Sequence, residues 1–429
     1  MSKKKIRHSK DHQRCKFPNG VVLLTERARH FQTLALGVWV RRGARDESPR
    51  CHGMAHFLEH MLFKGTSRRT ALEIAREVDL RGGEFNAMTT KEYTSFFIIL
   101  PAQEFDFGVD LLAEVLRDSR FEEIEIERER SVVLQELAGM EENPEDFIHD
   151  SLLELAYPNH PLGRSILGSE KSVRSFSRKT LTDFFHANYH ARNIVFTCAG
   201  DVDPRRVREK VRVALGSFPA RREPRLKSSP PKFVPGTHAI RRDFDQNHLL
   251  IGYEAFPIRH RARLAVFLMN SFLGGGMSSA LFQSVRETSG LAYTVYSSLM
   301  GHRDSGILCI YAALGKDNIA TCMRLIQEEI DKLIRRPLPE EDLRIVKNAI
   351  KSAIRLGADS METRMTALAR SELYFERHLS NEELCAEVDS VRASEIQAAA
   401  KSVFAKKPIT VLLGNMSRKD LERAVSAGR

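Results

Sequence analysis

Three polar side chains interrupt an apolar stretch near the N-terminus, "CHGMAHFLEHMLFKGT", which spans residues 51–66. They are His56, Glu59 and His60. On a helix, positions i, i+3 and i+4 lie on the same face, so this spacing brings two imidazoles and a carboxylate together. Two imidazoles one turn apart suit a zinc ion, which binds histidine nitrogens at about 2.0–2.1 Å. The alternative is a helix with two hydrogen-bonded core histidines, but chance rarely produces H-x-x-E-H in a chain of this size.

A third protein ligand is needed, because catalytic zinc sites generally have three. The stretch "ERERSVVLQELAGMEENPED", residues 127–146, contains candidates. If it is helical, Glu129 and Glu136 lie on one face together with Val132 and Val133. A carboxylate among apolar residues is costly unless it is paired or coordinates an ion. The pattern favours Glu136 over Glu129 only narrowly and leaves both as candidates.

The elements that must position these groups recur in two halves of the chain. A length of 429 residues predicts two or three domains. Proline and basic residues concentrate in residues 219–237, which predicts an exposed linker. When Gly83 is laid on Gly290, both halves show the order strand, helix, helix, strand, strand, helices. The corresponding helix of the second half reads "LAVFLMN" at 264–270, without the histidines.

This pattern predicts an α+β fold of two homologous domains, each an antiparallel sheet with helices packed on one face. The predicted organisation is a flexible basic tail at 1–14, a zinc-binding catalytic domain at 15–218, the linker at 219–237, and a duplicate without metal at 238–429.

The charge of the chain does not indicate a nucleic-acid partner. The formal net charge is +10. However, basic residues are interspersed with acids, as in "FEEIEIERERS" at 121–131, and no basic–aromatic pattern of a nucleic-acid module is present. We therefore expect a solvated, somewhat basic surface and no nucleic acid.

The sequence predicts neither a membrane-spanning segment nor a secretory signal, and it leaves a short organellar presequence open. No apolar run approaches the roughly 20 residues that cross a bilayer, and residues 1–15 lack the apolar segment of a secretory signal. The six cysteines are scattered without a C-x-x-C pair, which is typical of reduced thiols. We expect a cytoplasmic protein with no membrane association, with an organellar matrix as the alternative.

Several ordered motifs together resemble a known family. "HFLEH" is followed by "EFNAMTTKEYTSFF", "VVLQEL", "YPNHPLGRSILGS" and "LGGGMSSALFQSVRETSGLAYTVYS". H-x-x-E-H is the inverted zinc motif. The chain resembles the pitrilysin (insulinase) family of zinc metallopeptidases, and within it the branch of the mitochondrial processing peptidase and its bacterial relatives.

The resemblance assigns roles to the candidate residues of the first half. It implies that His56, His60 and Glu136 bind one Zn²⁺ per chain. It implies that Glu59 is the general base, and that Glu129 is an acid beside the metal-binding histidines.

The resemblance also adds substrate residues. Arg286 and Tyr293 in "RETSGLAY" match a pair that binds substrate and assists catalysis, although by residue type alone they are an exposed helix arginine and a core tyrosine. Phe85, Asn86 and Ala87 belong to the segment 85–89 just before a predicted strand, where an extended peptide could add to the sheet edge.

Together these features predict a zinc metalloendopeptidase that hydrolyses peptides or unfolded protein segments within a closed chamber. The resemblance implies a homodimer in which each site uses Arg286 and Tyr293 of the opposite protomer. The alternative is a non-catalytic assembly or core subunit of a larger complex, although such relatives generally carry a damaged zinc motif.

Overall fold

The structure, a computed structural model, describes residues 11–221, 229–415 and 417–427. Strand β1 (His12–Lys16) begins inside the predicted tail, because it pairs with the next strand along the chain. Strand β7 (Gly236–Arg241) likewise takes up the end of the predicted linker, because the Gly236 N–H donates to the Pro408 carbonyl at 3.3 Å. Residues 1–10, in the predicted tail, and 222–228, in the predicted linker, lie outside the described ranges.

The first sheet has six strands in the order β1-β2-β6-β3-β5-β4. All neighbours are antiparallel except β2 and β6. Besides β1, its strands are β2 (Val22–Arg27), β3 (Thr33–Val40), β4 (Glu84–Thr89), β5 (Thr94–Pro101) and β6 (Ile194–Gly200).

The second sheet has five strands in the order β7-β11-β8-β10-β9. Besides β7, its strands are β8 (Asn247–Ala255), β9 (Ala292–Gly301), β10 (Gly306–Leu314) and β11 (Ile409–Gly414). Here β7 and β11 form the parallel pair, so the sheet repeats the first one with β1 left out. The two-domain α+β prediction is confirmed. Each sheet is mixed because its last strand along the chain returns after several helices and pairs in parallel with an earlier one, β6 with β2 and β11 with β7.

Fifteen α-helices lie within the described ranges. They are α1 (Met54–Met61), α2 (Ala71–Leu80), α3 (Phe105–Asp118), α4 (Glu123–Glu142), α5 (Pro144–Ala156), α6 (Glu170–Ser175), α7 (Arg178–Asn188), α8 (Pro204–Leu215), α9 (Arg263–Gly274), α10 (Ile319–Arg335), α11 (Glu340–Gly357), α12 (Met361–Phe375), α13 (Asn381–Ser390), α14 (Ala393–Phe404) and α15 (Arg418–Ala427). None of these helices is long and apolar enough to span a bilayer.

The chain forms two compact units that interleave along the sequence. The first contains residues 11–137, 164–221 and 356–379, and the second contains 138–163, 229–355, 380–415 and 417–427. The predicted domains at 15–218 and 238–429 are continuous, whereas each unit takes a segment from the other half. Helix α12 belongs to the first unit, and α5 belongs to the second.

These two exchanged helices cover the second face of each sheet. In the first unit α3 packs on one face, where Gly108 lies against Leu36, and α12 packs on the other, where Met365 lies against Gly37. In the second unit α5 packs against β8 and β11. Helices therefore cover both faces rather than one, which explains why β3 is buried almost throughout.

Ion pairs hold α12 on the first sheet. The Glu372 side chain is only 2% exposed, and it accepts hydrogen bonds from Arg14 at 2.8 and 2.9 Å and from Arg41 at 3.0 Å. At Gly37 an added Cβ would lie 2.8 Å from the Met365 sulfur, so only glycine permits this approach. The contact between α12 and the sheet therefore depends on the buried charge of Glu372 and on the absence of a side chain at Gly37.

Replacing Glu372 tests this contact. Glu372→Ala leaves two arginines without their shared carboxylate, and we expect it to lower the free energy of unfolding by about 2–3 kcal/mol. The measurement is urea denaturation at neutral pH. As a control, Glu209→Ala removes an exposed ion pair with Arg212 and should move the midpoint little. Equal effects of the two substitutions would contradict the anchoring role.

Candidate metal centre

The start of α1 is set by the buried carboxyl group of Glu47. Glu47 accepts hydrogen bonds from the N–H groups of Gly53 at 2.8 Å and Ala55 at 2.6 Å. Burial raises the pKa of Glu47 to about 8, although the two N–H groups act in the opposite direction. Nothing in the sequence pattern singles out Glu47, because its partners are backbone groups that only the folded chain brings near.

Gly53 permits a close crossing of two chain segments at the same point. Its φ is +89°, and an added Cβ would lie 2.7 Å from both the Gly168 Cα and the Leu167 carbonyl oxygen. A side chain at residue 53 would therefore be strained in conformation and would also collide with backbone. This crossing determines where α1 begins.

The apolar face of α1 anchors it in the first core. Met54, Phe57, Leu58 and Met61 are buried. The three polar groups of H-x-x-E-H project from the remaining face and are only partly buried. The sequence spacing thus produces the expected two-faced helix.

Helix α4 brings Glu136 to the two imidazoles. Its Oε2 lies 3.6 Å from His56 Nε2 and 3.5 Å from His60 Nε2. Two ligands at about 2.0–2.2 Å from a tetrahedral zinc ion lie about 3.4 Å apart, which these distances approach. Among the described residues, these three are the only group of histidine, cysteine and acidic side chains close enough to hold a metal ion. The donor set therefore fits zinc.

The histidines are held in different electrostatic states. Burial, together with the neighbouring His60, lowers the pKa of His56 to about 4, so its imidazole is neutral at neutral pH. Burial also lowers the pKa of His60, but the hydrogen bond to Glu129 and the charge of Glu136 outweigh it and raise that pKa overall. Neutral imidazole is the metal-binding form.

Glu129 orients His60. Its Oε2 lies 2.9 Å from His60 Nδ1, and the residue is 4% exposed. If Nδ1–H donates to this carboxylate, the lone pair of Nε2 points toward Glu136. Burial opposes ionisation of Glu129, but hydrogen bonds from His60 and Lys64 lower its pKa below the ordinary value. The helical pattern left Glu129 and Glu136 nearly equal as candidates. The structure separates them, because Glu136 lies near Nε2 of both histidines and Glu129 lies near Nδ1 of His60.

Glu59 lies on the same helix beside this donor set. Burial raises its pKa above that of an ordinary glutamic acid, and the negative charge of Glu136 acts in the same direction. Its buried Oε2 has no hydrogen-bond partner within the described chain. A carboxyl group with a raised pKa and an oxygen without a hydrogen-bond partner is suited to accept a proton and return it.

The predicted peptide-binding residues lie on the edge strand of the first sheet. Phe85, Asn86 and Ala87 belong to β4, which pairs with β5 on one side and ends the strand order on the other. Asn86 is exposed, whereas Phe85 and Ala87 are half-buried. Helix α1 packs against β4, so the edge strand lies near the histidines.

Arg286 and Tyr293 lie in the second unit, apart in sequence from the histidines. Arg286 is in a π-helical segment, Phe282–Thr288, and its guanidinium carbon lies 4.9 Å from the centre of the Tyr293 ring. Tyr293 is 76% exposed, so it is not a core tyrosine. The structure brings these two side chains together as an exposed cation–aromatic pair.

The crossing at Gly53 is tested by a matched pair of glycine variants. Gly53→Ala should lower both the stability and the zinc affinity, because the backbone collision displaces α1. Gly82→Ala is the control: its φ is +64° and an added Cβ meets nothing within 4 Å, so it carries only the conformational strain. We expect Gly82→Ala to cost about 1–2 kcal/mol of stability and to leave zinc affinity unchanged. Urea denaturation and competition with a chromogenic chelator provide the two measurements, and equal zinc affinity in all three proteins would refute the expectation.

Two family profiles together match most of the chain. The insulinase profile (peptidase family M16) matches residues 22–170, and the profile of the peptidase M16 inactive domain matches residues 175–350. The first match contains all three candidate zinc ligands, and the second contains Arg286 and Tyr293.

Similar proteins cover nearly the whole chain. One from Bacillus subtilis, named an uncharacterized zinc protease, is 33% identical over 401 residues, which is 93% of this chain and 98% of the relative. Another of that description, from Mycobacterium leprae, is 35% identical over 430 residues, 98% of this chain and 96% of the relative.

Solved structures share the fold. A protease from Helicobacter pylori has a TM-score of 0.88 at 22% identity and covers 94% of this chain and 99% of its own. A protein from Pseudomonas fluorescens described as a peptidase M16 inactive domain has a TM-score of 0.87 at 20% identity, with coverages of 95% and 98%. The family expected from the motifs is confirmed: this chain belongs to peptidase family M16, the insulinase family.

Proposed function

We propose that the protein is a zinc metalloendopeptidase that hydrolyses peptides or unfolded protein segments. The observation that carries the proposal is the convergence of His56 Nε2, His60 Nε2 and Glu136 Oε2 within 4.8 Å of one another. Catalytic zinc sites use this combination of two histidines and one carboxylate, and they keep a further position open. The names of the similar proteins support the same reading.

The residues around this site have separate roles in the proposed reaction. A bound zinc ion would act as a Lewis acid and would lower the pKa of water to about 7. Glu59 accepts the proton of the attacking water and returns it to the leaving amine, a role for which its raised pKa is suited. Glu129 keeps His60 in the tautomer whose Nε2 can bind the ion.

The edge strand β4 is the proposed binding surface for the substrate. An extended peptide that pairs with Phe85–Ala87 would be held by main-chain hydrogen bonds, which recognise many sequences. A folded protein does not present such a free strand. The enzyme should therefore accept short or unfolded chains with little sequence preference.

Arg286 and Tyr293 are proposed to donate hydrogen bonds to the substrate carbonyl as negative charge develops on it. The exposure of Tyr293 makes it available for such contact. We propose a homodimer that encloses a chamber, in which each site is completed by the Arg286 and Tyr293 of the opposite protomer and each chain binds one zinc ion.

Two glutamine substitutions separate the general base from the metal ligand. Glu59→Gln should retain zinc but lose peptide hydrolysis by about 100- to 10,000-fold, because a general base contributes a factor of this size. Glu136→Gln should lose zinc affinity by more than about 100-fold, since outer partners alone contribute about 10- to 100-fold. Zinc content and cleavage of a fluorogenic peptide are measured together.

The control for Glu136 is Glu142→Gln, an exposed acid on the same helix, which should change neither property. Wild-type zinc affinity in Glu136→Gln would remove that residue from the ligand set. Peptide cleavage that survives chelator dialysis would remove zinc from the proposed mechanism. A wild-type protein that cleaves no peptide would favour the alternative, a non-catalytic subunit.

Mixing inactive variants tests the shared site. Arg286→Ala and Glu59→Gln chains are each expected to be inactive alone. A mixed dimer contains one site with both native contributions, so mixing after mild dissociation should restore activity. The measurement is peptide cleavage as a function of the mixing ratio, with a maximum near equal amounts. A flat, inactive profile would argue against completion of the site by the partner.

A further inference from the structure

We propose that Lys64 is a positioning residue for the metal centre. It holds the Glu129 carboxylate in place and thereby fixes the orientation of the His60 ring. This inference rests on the proposed role of His60 as a zinc ligand, and it assigns a function to a side chain that lies outside the H-x-x-E-H motif.

The contacts of Glu129 divide between two partners. Its Oε1 lies 2.5 Å from the Lys64 ammonium, and its Oε2 lies 2.9 Å from His60 Nδ1. Each oxygen thus has one strong donor, and rotation of the carboxylate would break both contacts. The result is a chain of charge-assisted hydrogen bonds from lysine to carboxylate to imidazole.

The position of Lys64 is itself constrained. It follows the end of α1, where its N–H donates to the Met61 carbonyl at 3.2 Å. Two residues later, Thr66 donates its hydroxyl to the buried Glu114 at 2.6 Å. The segment between His60 and Thr66 is therefore held at both ends, and the ammonium approaches Glu129 from a fixed backbone.

A buried carboxylate is costly without a compensating charge. Only 5% of the Glu129 side chain is exposed, compared with 30% of the Lys64 side chain. Without the ammonium, Oε1 would lose its partner, and the carboxylate could turn away from His60 or take up a proton. Either change would weaken the hydrogen bond that keeps Nε2 directed toward Glu136.

Two physical effects of Lys64 predict opposite results. Simple repulsion between a lysine ammonium and a divalent cation predicts that removing the charge raises metal affinity. Positioning through Glu129 predicts that removing the Lys64 charge lowers metal affinity. Residues that hold metal ligands in place contribute about 10- to 100-fold to that affinity. The sign of the change therefore distinguishes the two.

The experiment compares the zinc affinity of Lys64→Met with that of the wild-type protein, using chelator competition. We expect a loss of about 10-fold, the low end of the range for outer partners. Lys64→Arg, which keeps the positive charge, should recover most of it. The visible absorption of the Co²⁺-loaded protein should also change in Lys64→Met, because it reports ligand geometry. As a control, Lys179→Met removes a lysine from an exposed pair with Asp183 and should leave both measurements unchanged.

A double variant tests the route of the effect. In a Glu129→Gln background, Lys64→Met should cause little further loss, because its effect passes through Glu129. An unchanged or raised affinity in Lys64→Met overturns the inference, and so does an equal loss in both backgrounds. Urea denaturation of each variant identifies any that fail to fold. If the wild-type protein binds no zinc, the proposed function fails instead, so the two failures remain distinguishable.

Discussion

The metal centre depends on one helix that must be apolar on one side and polar on the other. Helix α1 buries Met54, Phe57, Leu58 and Met61 in the first core, which fixes its rotation. Its start is fixed by Glu47 and by the crossing at Gly53. Because the rotation and the start of α1 are fixed, its two imidazoles face α4. Burial of the apolar side chains of α1 therefore determines where its polar side chains lie.

Around the imidazoles, each polar side chain needs a partner, and the next residue outward supplies it. His60 needs a defined tautomer, which Glu129 supplies through Nδ1. Glu129 is a buried acid, and Lys64 supplies the opposite charge. Burial keeps the pKa of Glu59 raised in the same environment, because it outweighs the hydrogen bond with Thr89 and the charge of His60. Glu59 and Glu129 therefore differ in their chemistry because their surroundings differ.

The duplicated halves show how one topology carries two kinds of site. Both sheets have the same strand order around one parallel pair, yet only the first unit has the histidines. The second has an exposed arginine and tyrosine at the corresponding edge, where a π-helical segment precedes β9. The units also exchange helices, since α5 and α12 each cover the sheet of the opposite half. A simple cut at the linker would remove a covering layer from both sheets.

The sequence by itself determined the two-faced helix, the duplicated order and the family, because spacing and apolar pattern are local properties. It left Glu129 and Glu136 nearly equal, since both lie on one helical face, and only the approach of α4 to α1 separates their roles. The sequence predicted helices on only one face of each sheet, and only the structure shows that α12 covers the second face of the first sheet and that β3 is buried almost throughout. Lys64 acts through Glu129, which is distant in sequence, so tertiary structure alone decided its role. Glu47 accepts hydrogen bonds from the nearby Gly53 and Ala55 N–H groups, but only the folded path of the chain brings them to its carboxyl group.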